Sequence, residues 1–483
     1  MSSPLRGWLV TVIVTLIGAG VRFWNLGYPT DKGTPNFDEK HYVPQAAQAL
    51  RNGGYEDNPG YEVVVHPPLG KQLIAIGEWL FGYDAVGWRF ASALAGTIMI
   101  LLVVRVARRL TRSDLLGAIA GILLIADGMS HVQSRMGMLD AFLSLFVLVA
   151  FVCLVADRDQ TRARLALAVR EGWVDRSPFG PSLGFRWWRF GTGVALGLAC
   201  GVKWSGVWYI AFFGVLVVVW SATARRAAGV ERPWVGALVK DALPSVLSLV
   251  VLPVLVYLAT WWAWFGSETG IDRHVAGVKI PEESWIPDAL RALWYNNGNV
   301  LEFHTKLVTS ETNHHPWESK PWTWPMGLRP MLYYFPGTVE GCGAAGCVAA
   351  VMLVGTPAMW WLAFPVLAWA LWRAIGRLDW RYAAVLVGYG AGYLPWFVNL
   401  DRQMYYFYAM PMAPFLVLGI TLALGELLGK ARDGAERRGT GLLVVALYVG
   451  LVVANFVWLW PILNGDPITQ EMWDAQRWLP SWR

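Results

Sequence analysis

Charge is the first thing this chain lacks: Lys, Arg, Asp and Glu make up 15% of its 483 residues, where soluble proteins carry roughly a quarter. With 55% hydrophobic residues and a mean hydropathy of +0.40, that shortage excludes a soluble enzyme. A soluble-domain length prior would cut the chain into about three domains. Apolar stretches recur from one end to the other, so it reads instead as one polytopic membrane unit. Cysteine is scarce too, with four residues in no zinc or redox spacing. Cys153 and Cys200 fall in apolar spans as packing residues, and Cys342 and Cys347 form a candidate small disulfide loop near an expected external face. No dense Lys/Arg run and no aromatic stacking platform is present. The net charge of +6 therefore reflects membrane topology rather than nucleic-acid binding. Internal repeats and low-complexity linkers are missing as well. The first apolar stretch, 8–24, has no small-x-small cleavage site after it, so it reads as an uncleaved anchor.

What is abundant is tryptophan, 30 residues, as suits many membrane–water boundaries. About eleven stretches approach the ~20 residues that cross a bilayer core. They lie near 8–24, 86–106, 115–133, 138–156, 190–206, 207–223, 242–264, 346–372, 382–399, 406–428 and 440–461. The fold class expected is an all-α polytopic membrane protein. Arginines mark alternate loops: Arg105, Arg108 and Arg109, then Arg158 to Arg189, Arg225 and Arg226, Arg373 to Arg381, and Arg437 and Arg438. The positive-inside rule makes those loops cytoplasmic. The N-terminus is then inside, the C-terminus outside, and the long loops 25–85 and 265–345 face outward together. The organisation expected is a membrane module over 1–264 including loop 25–85, a second large loop 265–345, C-terminal spans 346–461 and an external tail 462–483. Within the first loop, Pro44 to Arg51 reads as a short helix stopped by Gly53-Gly54. A second helix starts after Pro67-Pro68, runs to Gly82, and is placed in the interface.

Polar clusters in such a chain are where chemistry is sought. Asp38-Glu39 follows the first span, between Phe37 and Tyr42. It is either a solvated loop pair or a partly buried pair in which one carboxylate acts as general base. His66-Pro67-Pro68-Leu69-Gly70-Lys71 is either a Pro-started interfacial helix with a snorkelling lysine or an anion site at a helix start. Arg135 and Asp140 border a span, as a structural ion pair or with Arg135 on a lipid phosphate. Lys203 and Arg402 emerge on the same external face as Lys71 and Arg135. Together these four cations suggest an anionic lipid head group. The second long loop holds His304 and the run His314-His315-Pro316-Trp317-Glu318 to Trp324. Its histidine spacing fits no zinc site, so a divalent metal is possible but not required. A groove for peptide or sugar is the other reading.

The phrases Asp38-Glu39, His-Pro-Pro-Leu-Gly-Lys at 66–71, Ser-Arg-x-x-x-Leu-Asp at 134–140, Val-Lys-Trp-Ser-Gly at 202–206 and His-Pro-Trp-Glu-Ser-Lys-Pro-Trp-Thr-Trp-Pro at 315–325 resemble protein O-mannosyltransferases. The likeness runs in order along essentially the whole chain. It is greatest to compact bacterial, particularly actinobacterial, members, which lack the long lumenal insertion of fungal and animal ones. It implies a GT-C-type membrane glycosyltransferase with a polyprenyl-phosphate-mannose donor, inverting transfer to Ser or Thr of secreted proteins, and no certain cofactor. It implies catalytic roles for Asp38 and Glu39 and a donor-phosphate role for Arg135, joined by Lys71, Lys203, Arg402 and Asp140. His66, His315, Glu318, Trp322 and Trp324 are the expected substrate-binding residues. The bacterial plasma membrane, with the site external, is the location implied, and the secretion translocon is a candidate neighbour. Two competing readings stay open: a GT-C transferase acting on a glycolipid, and a secondary transporter, which would need inverted repeats and mid-membrane ionisable groups.

Overall fold

A computed structural model describes residues 4–58, 65–282, 284–310, 314–344, 346–429 and 434–483. Among them, eight helices are long and apolar enough to cross a bilayer. They are α1 (Pro4–Phe23), α4 (Ala85–Thr111), α7 (Asp140–Arg170), α9 (Gly206–Ala227) and the helices Pro233–Thr260, Pro357–Gly376, Tyr406–Leu428 and Ala435–Asn464. Three further expected spans are shorter helices: α5 (Asp114–Ile125), α8 (Trp187–Val202) and Trp380–Tyr393. After α5, Asp127 breaks the helix and caps a new one, α6 (Gly128–Gln133), by accepting from the Ser130 N–H at 3.0 Å.

The α7 and Tyr406–Leu428 helices form the interior, with 78% and 89% of their apolar windows buried, whereas Pro233–Thr260 is 17% buried and lines the rim. One rim contact depends on glycine. On α8, Gly193, Gly197 and Gly201 face Ser248, Pro253 and Thr260, and a Cβ at Gly193 would stand 1.8 Å from the Ser248 carbonyl. Small residues four apart let the two backbones touch, as membrane helices require when no hydrophobic effect drives them together. This contact fixes α8, and with it Lys203 at its C-terminal end.

Several loop arginines are held at one end of the bundle. At one end Arg105 stacks on Trp8 at 3.9 Å, Arg158 on Trp380 at 3.4 Å, and Arg381 donates to the Leu110 carbonyl at 3.4 Å. At the other end lie Asp38, Glu39, Asp140, Lys203 and Arg402. The long loops there fold over the bundle. α2 (Glu39–Arg51) and α3 (Leu69–Phe81) pack on one another. Asp288–Lys306 forms a third surface helix.

Three expectations need correction. The short loop helix begins at Glu39 rather than near Pro44, so Pro44 sits inside it and removes the bond to the Lys40 carbonyl. α7 continues to Arg170, so much of the expected loop after 156 is helical. The span expected over 346–372 starts only at Pro357. The fold class is all-α as expected, with two short strand pairs in addition. β1 (Met331–Tyr334) pairs antiparallel with β4 (Val351–Leu353), and β2 (Thr338–Val339) with β3 (Cys347–Val348). Residues 347–354 are a buried apolar run, and periodicity alone does not tell a short buried strand from a helix. Cys342 and Cys347 are joined in a disulfide that closes the β2–β3 turn.

Candidate active site

Asp38 is held by a turn that the rest of the fold enforces. Phe37 adopts a left-handed backbone, φ 48°, costly for an aromatic residue. Its ring is clamped by stacking on Tyr333 of β1 at 4.4 Å and edge-on against Phe407 at 6.0 Å. The Asp38 carboxylate enters no ion pair among the described residues. Burial pushes its pKa up to about 6, with Asp140 adding to the shift and Lys203 and His41 opposing it. A half-shielded carboxylate that is basic near neutrality suits proton abstraction.

Glu39 next to it is placed quite differently. It is fully buried, and its two oxygens receive Arg89 Nε at 2.8 Å and Nη2 at 2.9 Å. The N–H groups of Gly137 and Asn36 complete its shell at 2.7 and 3.0 Å. Arg89 also donates to the Leu26 and Pro29 carbonyls at 3.2 and 2.8 Å. The pair therefore ties the first loop to α4 and to the 134–139 turn. Arg89 was missing from the sequence reading, although an arginine five residues into an apolar span is a signal in itself.

Lys203 and Asp140, whose charges act on Asp38, line a cavity of about 580 Å³ whose lining does not include Asp38 itself. Its polar groups are His66, Asp140, Lys203, His304 and Arg402, set among Leu143, Val207, Trp208, Tyr209, Trp396 and other apolar walls. Lys203 Nζ lies 2.8 Å from Asp140 and faces the Phe407 and Tyr408 rings. Arg402 stacks against Trp396 and Tyr408 and approaches His304 Nδ1 at 3.3 Å. Burial, then the surrounding cations, hold His66 well below its usual pKa. Burial and Arg402 hold His304 at about 4. Both imidazoles are thus neutral at pH 7, and the charge available to an anion comes from Lys203 and Arg402. Arg402 is set by loop pairing: Asp401 takes the Ser310 N–H at 3.1 Å, and Lys320 donates to the Leu400 and Arg402 carbonyls at 2.9 and 3.2 Å.

Two expected phosphate ligands are engaged elsewhere. Lys71 is buried against Glu56 at 2.6 Å and donates to the His66 carbonyl at 3.0 Å, so it shapes the turn that presents His66. Arg135 donates to the carbonyls of Arg22, Trp24 and Asn25 and thereby caps the C-terminal end of α1. Neither lines the cavity.

A second, more open groove of about 770 Å³ lies in the second large loop. His315, Glu318 and Trp322 line it, together with Arg329 and the Leu479–Ser481 segment. His315 meets the Tyr405 ring edge-on at 5.4 Å. Glu318 is tied to Lys320 at 2.8 Å and Thr309 at 2.6 Å, which orders the loop. Trp324 departs from its expected role: it is fully buried between Trp396 and Tyr408, with its indole N–H on Ser319. Among the described residues, no three His, Cys, Asp or Glu converge closely enough to hold a metal.

Apolar helices whose polar loops roof a cavity bearing Lys203 and Arg402 form a fold of the GT-C type. The Saccharomyces cerevisiae protein O-mannosyltransferase Pmt1–Pmt2 complex bound to the sugar donor superposes with a TM-score of 0.74 at 15% identity, over 100% of this chain and 93% of that one. ArnT from Cupriavidus metallidurans bound to undecaprenyl phosphate does so at 0.53 and 16% identity, over 94% and 70%. Residues 84–266 match the dolichyl-phosphate-mannose-protein mannosyltransferase family, and 289–482 match the C-terminal four-span region of protein O-mannosyltransferases. Polyprenol-phosphate-mannose–protein mannosyltransferases of Mycolicibacterium smegmatis and Mycobacterium tuberculosis are each 57% identical over 99% of this chain, covering 93% and 92% of their own length. That of Corynebacterium glutamicum is 44% identical over 99% and 93%. The chain belongs to the protein O-mannosyltransferase family.

Proposed function

We propose that the protein transfers mannose from a polyprenyl-phosphate-mannose lipid to Ser or Thr hydroxyls of secreted proteins, with inversion and with Asp38 as general base. The observation that supports this reading is an elevated-pKa carboxylate, outside any ion pair among the described residues, within electrostatic reach of Lys203 and Asp140, which line a cavity with apolar walls. The polyprenyl chain lies along the apolar walls, with its phosphate at Lys203 and Arg402. The acceptor hydroxyl attacks the anomeric carbon from the face opposite the phosphate, and its proton passes to Asp38. The sugar–phosphate bond breaks, and its electron pair leaves on the lipid phosphate. Fixed positive charge offsets that developing anion, so no acid is needed for the leaving group. Asp140 holds Lys203 in place. The Asp38 end faces outward in the bacterial plasma membrane, as the arginines at the opposite end support. Acceptors arriving from the secretion translocon meet the site there.

The test supplies membranes with radiolabelled polyprenyl-phosphate mannose and a Ser/Thr-containing peptide. Label in the peptide supports the reading, whereas label confined to lipid refutes protein as the acceptor. Arg402→Ala removes one charged hydrogen-bonding partner, worth about 1.5–3 kcal/mol, and should raise the donor KM by at least about tenfold. An unchanged donor KM takes Arg402 off the phosphate.

The acceptor reaches Asp38 through the second groove. Its far wall is the Leu479–Ser481 segment, which is anchored by Arg329 on the Ser481 carbonyl at 2.6 Å and by the buried Trp482, whose N–H bonds the Gly327 carbonyl at 3.0 Å. Trp322→Ala and Leu479→Ala should each raise the peptide KM several-fold while the donor KM stays fixed. Parallel changes in both constants would place the groove outside acceptor binding.

A further inference from the structure

The two cations of the sugar-transfer cavity are held in opposite ways. Lys203 is paired with a carboxylate, Asp140, at 2.8 Å. Arg402 enters no ion pair among the described residues. Its guanidinium lies over the Trp396 and Tyr408 rings, at 5.6 and 5.8 Å, contacts that hold the group without aligning its N–H bonds. The alignment comes from His304 on the surface helix Asp288–Lys306, whose Nδ1 stands 3.3 Å from Arg402 Nη2.

Both ring nitrogens of His304 are committed. Nε2 lies 3.1 Å from the Val65 carbonyl, which can only accept, so Nε2 carries the proton. In the neutral ring Nδ1 is then a lone pair, and the Arg402 N–H can only donate to it. One tautomer satisfies both contacts. The ring is neutral at pH 7, since burial and then the Arg402 charge hold its pKa at about 4. The flanking backbones are paired as well: the Gln403 N–H donates to the Leu307 carbonyl at 3.0 Å, and the Thr309 N–H to that of Asp401 at 2.6 Å. A carboxylate in the place of His304 would aim Arg402 equally well but would offset its charge. A neutral acceptor aims it and leaves the full charge to a ligand. We propose that His304 is a positioning residue for sugar transfer: its Nδ1 lone pair turns Arg402 toward the phosphate of the lipid donor, and its Nε2 proton ties that arrangement to the first external loop at Val65. The inference rests on the assignment of Arg402 to the donor phosphate.

The test measures donor KM, peptide KM and Tm on the full chain for three variants. Asparagine places its carbonyl oxygen where Nδ1 stands, and glutamine its amide nitrogen where Nε2 stands. His304→Gln thus keeps the Val65 bond and loses the acceptor for Arg402, so the donor KM should rise several-fold with the peptide KM fixed. His304→Asn keeps the acceptor and loses the Val65 bond. Its donor KM should rise less than that of His304→Gln, although its Tm falls more. His304→Asp keeps the acceptor but offsets the Arg402 charge, so its donor KM should rise the most of the three. On an Arg402→Ala background, His304→Gln should move the donor KM no further. A role confined to holding the loop reverses the Gln–Asn order and makes Asp behave as Asn does. Either result, or a further rise on the Arg402→Ala background, overturns the proposal while the phosphate assignment stands. An unchanged donor KM in Arg402→Ala alone overturns that assignment and the proposal with it.

Discussion

Asp38→Asn is expected to lower kcat/KM for mannosyl transfer by about a hundred- to ten-thousand-fold, the range a positioned general base contributes, while the protein still inserts and folds. The expectation of intact folding follows from the direction of the pKa shift. The Asp38 carboxyl is raised to about 6 from an ordinary 3.8, chiefly by burial. Its charged form is therefore the less stable one in the folded protein, and stability falls as pH rises through that value. Asparagine carries no charge to desolvate, so the variant should be at least as stable as wild type at pH 7. Catalysis runs in the opposite sense. The base works only when deprotonated, so wild-type kcat/KM should rise with pH through about 6 and level off above it. In Asp38→Asn that rise should vanish along with most of the activity. A variant that transfers mannose at the wild-type rate, or a wild-type profile flat across this range, would remove Asp38 from the chemistry. Measuring Tm and kcat/KM on the same preparations separates the two effects.

The sequence exposed the parts of this site that break a rule and hid those that obey one. Asp38, Lys203 and Arg402 are ionisable groups at the edges of apolar spans, where their presence needs a reason, and the fold does gather them at one end. Lys71 and Arg135 met the same criterion, yet their reason is internal: Glu56 and the end of α1 consume their hydrogen-bonding capacity. Charge counting along a chain cannot separate a cation facing a ligand from one facing a buried carboxylate, as Lys71 does, or carbonyls 110 to 113 residues away, as Arg135 does. Trp324 shows the same limit for aromatics, since its run of tryptophans gave no sign of which ring faces inward. The strands at 331–353 were hidden because a buried strand and a span share one composition. Even so, those strands matter to the site: β1 carries the Tyr333 ring that clamps Phe37 and sets the turn before Asp38.

Glu39→Gln should act through the fold, and that separates the two neighbouring carboxylates. Glu39 and Arg89 are both fully buried and bound through two contacts. Removing one charge leaves the other unpaired in the interior, at a cost of about 3–5 kcal/mol. The loss concentrates where the pair ties things together: the first loop, the start of α4 and the 134–139 turn. Activity should fall because the Asp38 turn loosens, and loop 25–58 should become sensitive to protease in parallel. Replacing both partners by apolar groups removes the unpaired charge, so Glu39→Leu with Arg89→Met should recover much of the stability that either single change loses. A double-mutant cycle read by Tm measures that coupling, and the residual transfer rate of the double variant decides the chemistry. If transfer returns with stability, Glu39 positions the loop and the base is Asp38 alone. If the double variant is stable yet inactive while Asp38 stays in place, Glu39 itself touches the acceptor. The bidentate geometry favours the first outcome: with both oxygens held by Arg89 and by the Gly137 and Asn36 N–H groups, Glu39 has little capacity left to accept a proton from a hydroxyl.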